Sequence, residues 1–243
     1  MDEEQRQRAI RLRLARSEER RCGVLPAGFA ALDRALAGGL PRGAIVELFG
    51  PPASGKTTLA LQIVAHTQEN GGTAAWIDAE HVFEAPYAAS LGVRIAEMPL
   101  VEPESAEQAL EIAAKLAGSG AVDLIVVDSA AALVPRLELE SGTGASGEGL
   151  HTRVLASGLR KLAQDARKSG LVALFLNQMR SRGGGESEAS AGGPPLKLYA
   201  AVRLGLDPRR GGVAFRIVKN RVAAAFREGE LRRAAGGEFL KSP

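Results

Sequence analysis

The sequence predicts an α/β fold: a mostly parallel, twisted sheet flanked by helices, with antiparallel strands added on its C-terminal side. Three observations predict it. Apolar runs of strand length alternate with helical patterns through most of the chain. One of those runs enters a glycine-rich loop that opens directly into a helix. Towards the C-terminus, strand-like runs follow one another with only turns between them.

The chain begins with residues 1–21, dense in Arg and Glu, with Ile10 and Leu14 four apart, a spacing that predicts a short charged helix. A turn-rich lead-in follows, in which Gly28–Leu36 predicts a helix closed by Gly38-Gly39. Ala44–Phe49 reads as a buried strand, and Leu59–Ala65 as a helix. Between them stand Gly50, Pro51, Pro52, Ala53, Ser54, Gly55, Lys56, Thr57 and Thr58, which match the phosphate loop G-x-x-x-x-G-K-[ST]. The two glycines let successive N–H groups curl towards one anion, and the helix N-terminus adds positive potential at the same place. Lys56 is placed for the β- and γ-phosphates, and the Thr57 hydroxyl for Mg²⁺.

Thr73–Asp78 predicts the next strand, with Asp78-Ala79-Glu80-His81 at the end where open α/β sheets place ligands. Ser105 with Gln108 three residues on is a capping-box signature for a helix to Ala117. Val122–Asp128 is an apolar strand ending in a carboxylate, the Walker B pattern. A helix from about Leu150 to Lys168 and a strand over Leu171–Leu176, ending in Asn177-Gln178, come next. Leu198–Leu206, Val213–Val218 and Val222–Phe226 read as strands. Ser141–Gly149 and Ser181–Gly193, rich in Gly, Ser and Ala, read as mobile loops. The domain reading is a lead-in over 1–38, a core over 39–228, and a short tail over 229–243 too small for a further domain.

Composition narrows the class. A single cysteine excludes a disulfide framework and fits a reducing cytoplasm. No apolar run approaches membrane-spanning length, and the N-terminus is too charged for a secretory signal. The net charge of +3 is modest, but Arg203–Lys241 holds ten Lys/Arg against four Asp/Glu. That basic C-terminal third serves equally as a solvated surface or as a face for an acidic partner or DNA.

With these residues in line, the chain resembles the RecA recombinase family from about Leu32 to Phe226. The resemblance rests on Gly39–Gly43, the phosphate loop, Ile77–His81, Val126–Leu133, Leu176–Arg180, Leu196–Tyr199 and Val218–Ala224, in that order. It implies a RecA-like ATPase core with ATP and Mg²⁺ as cofactors. It further implies that Glu80 activates the attacking water, that Asp128 and Thr57 hold Mg²⁺, and that Tyr87 stacks on the adenine. Gln178 would sense the γ-phosphate. Lys219 and Arg221 would reach a neighbour's nucleotide across a filament-type interface; as charges on a strand edge they would equally blunt aggregation.

The two Gly/Ser loops fall where the family places its DNA-binding loops. The first carries Glu148, no cation and no large apolar residue; the second offers Arg180 and Arg182 against Glu186 and Glu188. Arg153 and Arg180 remain as phosphate contacts, so direct binding to single-stranded DNA is expected to be weak. Pro52 stands where the family carries an acidic residue and removes one N–H from the cradle. In size and trimming the chain is similar to the ImuA-type paralogues of bacterial SOS mutagenesis operons. The expectation is an ATP-binding, slowly hydrolysing accessory of DNA repair that meets RecA filaments or translesion-polymerase accessory proteins. An active recombinase and a non-hydrolysing, nucleotide-gated interaction module are the alternatives.

Overall fold

The computed structural model describes residues 23–141, 148–180, 189–190 and 193–241. The expected N-terminal helix over 1–21, Arg182 and most of the two Gly/Ser loops lie outside them, as does the side chain of Arg180.

Two short strands, β1 (Val24–Leu25) and β2 (Leu40–Pro41), pair antiparallel around the first helix, α1 (Ala30–Ala35). The Asp33 carboxylate accepts hydrogen bonds from the Ala27, Gly28 and Phe29 N–H groups, which fixes the chain's approach to that helix. From there the expected alternation holds. It runs β3 (Ala44–Gly50), α2 (Lys56–Glu69), β4 (Ala74–Asp78), α3 (Ala85–Ser90), β5 (Leu100–Val101), α4 (Ala106–Ser119) and β6 (Leu124–Asp128). Ser105 caps α4, its Oγ accepting from the Gln108 N–H at 3.3 Å. A short helix α5 (Arg136–Ser141), a long helix α6 (Glu148–Ser169) and the strand β7 (Val172–Arg180) follow, with β8 (Ala189–Ser190) beside β7. The chain then forms α7 (Gly193–Tyr199), β9 (Val202–Arg209), β10 (Gly212–Asn220) and β11 (Glu228–Arg232).

The main sheet runs β11-β10-β9-β3-β7-β6-β4-β5. Strands β9, β3, β7, β6, β4 and β5 are parallel, and β10 and β11 add to the β9 edge antiparallel, as the fold class predicts. Alternate side chains of the central strands feed two cores. Val46, Leu48, Trp76, Val126 and Leu174 pack with α1 and α2; Ile45, Ile77, Ile125, Val127 and Phe175 pack with α4, α6 and α7.

Two expected strands are corrected. Leu198 and Tyr199 are helical: Pro194 and Pro195 start α7, and burial recurs at Leu196 and Ala200, a helical spacing, while Leu198 is exposed. Val222–Phe226 is a turn in which the Asn220 Oδ1 accepts from the Val222 and Ala223 N–H groups at 3.0 Å each. Val222 and Phe226 are exposed there, and Phe226 has φ 63°. The strand comes later, as β11, which spans Glu228–Arg232. Beyond it Phe239 is buried in the core.

Candidate nucleotide-binding site

The parallel registers bring the expected residues to one end of the sheet. Gly50 at the end of β3 lies beside Gln178 on β7, and Asp78 on β4 lies beside Asp128 on β6. The loop after Gly50 folds tightly. Ala53 and Gly55 both take positive φ, and a side chain at Gly50 would collide with the Leu206 carbonyl, 2.6 Å from an ideal Cβ. Gly55 precedes α2, so the free N–H groups of the helix's first turn open into the loop. Lys56 is buried and its Nζ donates to the Pro51 carbonyl (2.8 Å) and the Gly50 carbonyl (3.2 Å), which suspends the ammonium over the cradle. Burial lowers its pKa, opposed by Asp128 and Glu80.

The Thr57 hydroxyl donates to Asp128 Oδ2 at 3.0 Å. Burial pushes the Asp128 carboxyl up to about 6, helped by the charges of Glu80 and Asp78 and opposed by the Thr57 hydrogen bond and Lys56. A carboxylate held this uncomfortably is one that a cation would relieve. Hard oxygen donors suit Mg²⁺, and among the described residues no cluster of three or more His, Cys, Asp or Glu offers a full coordination shell. The residues therefore fit a metal that takes its remaining ligands from phosphate and water, as Mg²⁺ does.

Glu80 lies at the same end. The Ala79 and Glu80 N–H groups donate to the Asp128 carbonyl at 2.7 and 3.2 Å, and Asp78 Oδ2 accepts from the Phe83 N–H at 2.7 Å. The turn is thus tied to β6 on one side and to its own root on the other. Glu80 Oε1 accepts from Gln178 Nε2 at 3.3 Å and, closer still, from the Ser129 hydroxyl. Ser129 and Asp78 were not among the expected site residues. Their signal lay in the sequence, at the tips of two carboxylate-ended strands. Tyr87, partly exposed on α3, shares a hydrogen bond of 2.7 Å with the Thr58 hydroxyl, which puts its ring beside the loop.

Other expected residues lie elsewhere. Lys219 pairs with Arg203 in the sheet, level with Glu47 and three residues, about 10 Å along the strand, short of Gly50. Its Nζ donates to the Lys197 and Leu198 carbonyls at 2.6 and 3.2 Å, and Arg221 Nη2 donates to the Leu198 carbonyl at 3.0 Å. Both cations cap α7 instead of meeting their own phosphate loop. Burial lowers the pKa of Lys219, with the charges of Arg221 and Arg203 adding to the effect and Glu47 opposing it. Arg153 is exposed on α6, and Arg180 ends β7. Beneath the loop, the fully buried Glu47 accepts from Asn177 Nδ2 at 2.8 Å and from Arg203 Nε. The Arg203 guanidinium stacks on Phe49, 4.8 Å from the ring centroid.

Fold and site together define a nucleoside-triphosphate-binding core of the phosphate-loop class. The family model described as the RecA N-terminal domain matches residues 3–236. Protein RecA of Thermus thermophilus is 46% identical over an alignment of 237 positions that covers 90% of this chain and 69% of that protein. Protein RecA of Streptococcus pyogenes serotype M49 is 45% identical over an alignment of 254 positions that covers 95% of this chain and 67% of the relative. The crystal structure of the RadB recombinase shares the fold, with a TM-score of 0.69 at 24% identity over 88% of this chain and 98% of that one. The chain belongs to the RecA family, whose members bind ATP with Mg²⁺ and act in DNA recombination. None of the helices among the described residues is long and apolar enough to cross a membrane.

Proposed function

We propose that this protein hydrolyses ATP slowly and serves DNA repair as an accessory, meeting RecA filaments or translesion machinery through filament-type contacts. One observation carries the hydrolytic part: Glu80 is held by Ser129 and Gln178 beside the Thr57–Asp128 pair, at the mouth of the phosphate loop. Thr57 and Asp128 would hold Mg²⁺, which when bound neutralises charge on the β- and γ-phosphates. Lys56 leaves its carbonyl partners to pair with phosphate oxygens. Glu80 takes the proton of the water that attacks the terminal phosphate, and the Ser129 and Gln178 hydrogen bonds aim its carboxylate. Because Gln178 lies two residues before the end of β7, the strand that leads into the second Gly/Ser loop, a change in the Glu80–Gln178 bond has a short route to that loop. Lys219 and Arg221 are too far down the sheet to serve their own nucleotide, so any part they take in hydrolysis is across an interface.

The accessory role rests on the sequence of the two loops, poor in cations and aromatic residues. Identity of 45–46% with two RecA proteins over at least 90% of the chain favours a second reading, an active recombinase. Steady-state ATP hydrolysis with and without single-stranded DNA, over a range of protein concentrations, separates them. A low rate indifferent to DNA supports the accessory; a steep rise with DNA and concentration supports the recombinase. Replacing Glu80 by Gln should lower turnover by about a hundredfold or more with nucleotide affinity retained. Unchanged turnover would remove Glu80 from the mechanism, whereas a wild-type protein that binds ATP without turning it over would leave nucleotide-gated binding as the function.

A further inference from the structure

The last described residues close over the phosphate loop. After β11 the Arg233 N–H donates to the Gly211 carbonyl at 2.9 Å, and Arg233 forms an isolated antiparallel bridge with Phe239. Phe239 is buried, edge-on to Phe29 with ring centroids 6.5 Å apart. Its N–H and carbonyl are both bound by the buried side chain of Gln62 on α2, at 2.9 Å each. Lys241 adds an ion pair to Glu69 at 2.9 Å on the same helix. The segment is thus fastened to the helix that the phosphate loop opens.

This fastening aims one cation. The Arg233 guanidinium lies over the Phe239 ring, 4.9 Å from its centroid. A Cβ built on Gly55 would lie 2.2 Å from Arg233 Nη2 and 2.8 Å from Phe239 Cζ. Arg233 therefore borders the same cleft, about 300 Å³, as Ala53, Gly55, Lys56, Thr57 and Thr58. Its Nε is buried and finds no hydrogen-bond partner among the described residues. A guanidinium carries five donors in a planar fork, and its Nη2 end is the part that faces Gly55, where an acceptor from a bound anion would meet it.

We infer that Arg233 is a nucleotide-binding residue that contacts the α- and β-phosphates from the end of the chain opposite to the phosphate loop. This rests on the reading of the cleft as a nucleotide site. Gly55 belongs to the stretch whose N–H groups cradle the α- and β-phosphates. The groups placed for the terminal phosphate, Glu80 and Gln178, gather instead at the tips of β4 and β7. The contact also makes residues 233–239 part of the site, so nucleotide occupancy and docking of this segment reinforce each other.

The test is direct binding of ADP·Mg²⁺ and ATP·Mg²⁺ by calorimetry to the wild-type protein, Arg233→Gln and Arg233→Lys. Both variants keep an aliphatic stem over Phe239. Arg233→Gln should weaken both nucleotides about equally, by about tenfold, and flatten the salt dependence of ADP binding. Arg233→Lys should recover part of the loss, because it keeps the charge without the planar fork. ADP affinity unchanged in Arg233→Gln would overturn the inference, and so would a loss confined to ATP, which would put the contact at the terminal phosphate. If Arg233→Gln does not fold, Arg233→Lys decides: ADP affinity equal to wild type overturns the inference, and weaker binding supports it. A wild-type protein that binds neither nucleotide would overturn the nucleotide reading itself.

Discussion

Replacing Asp128 by Asn should stabilise the metal-free protein while damaging its response to nucleotide. The Asp128 carboxyl titrates at about 6 in the fold against 3.8 for an ordinary Asp, chiefly because it is buried. A raised carboxylate pKa means that the fold disfavours the ionised form. The resulting cost is absent below the unfolded value, grows between pH 4 and 6, and is complete above 6. A shift of roughly two units corresponds to about 3 kcal/mol at pH 7.5. Asn is of similar size, and its carbonyl can still accept from the Thr57 hydroxyl, so the substitution removes the charge and little else. For a chain of this length about 3 kcal/mol is a rise of about 6–12 °C in Tm. The assay is thermal unfolding in EDTA at pH 7.5 and at pH 4, followed by unfolding at pH 7.5 with saturating ADP·Mg²⁺. The gain should be present at pH 7.5, nearly vanish at pH 4, and be offset by a smaller stabilisation from ADP·Mg²⁺ than in the wild type. An Asn variant that melts at or below the wild type in EDTA at pH 7.5, or whose gain is the same at both pH values, would show that the buried Asp128 charge does not carry this cost.

Two further substitutions probe what holds the site in place. Arg203→Met leaves the fully buried Glu47 without its guanidinium partner and should cost about 3–5 kcal/mol in denaturant unfolding. Pairing it with Glu47→Gln should recover much of that loss, and a double variant no better than Arg203→Met would show that the charge is not what the guanidinium serves. Phe239→Ala removes the ring between Phe29 and Arg233 and should cost about 3–5 kcal/mol as well as weakening ADP binding. An Ala variant as stable as the wild type would mean that the terminal segment does not belong to the core.

The fold was legible wherever one local signal dominated. β3, β4, β6 and β7 are runs of apolar residues too short for helices, bounded by Gly or carboxylates, and buried parallel strands read that way. Errors came where two signals competed. Leu198–Leu206 reads as one strand, but Pro194-Pro195 set a helix through Tyr199 first, and the burial of Leu196 in the core it shares with α6 completed it. Val222–Phe226 looked apolar and β-prone, yet Asn220 turns the chain there and leaves Val222 and Phe226 in solvent. β11, with the sequence Glu228-Gly229-Glu230-Leu231-Arg232, has too few apolar residues to announce itself. It is a strand because β10 offers an open edge and Leu231 a route into the core.

The phosphate loop, the carboxylates at strand ends and the family are all written in the order of residues, because each is a pattern of residue types within a few positions. Which of those residues meet depends on how the chain folds. Parallel register put Gly50 beside Gln178 and Asp78 beside Asp128, and the distance along the sheet kept Lys219 and Arg221 from their own loop. The fold also brought Arg233 and Phe239 over Gly55, a meeting of distant parts of the chain that rests on the Gln62 clasp. Local patterns record what a segment prefers, whereas contacts across such separations depend on how the whole chain closes around its core.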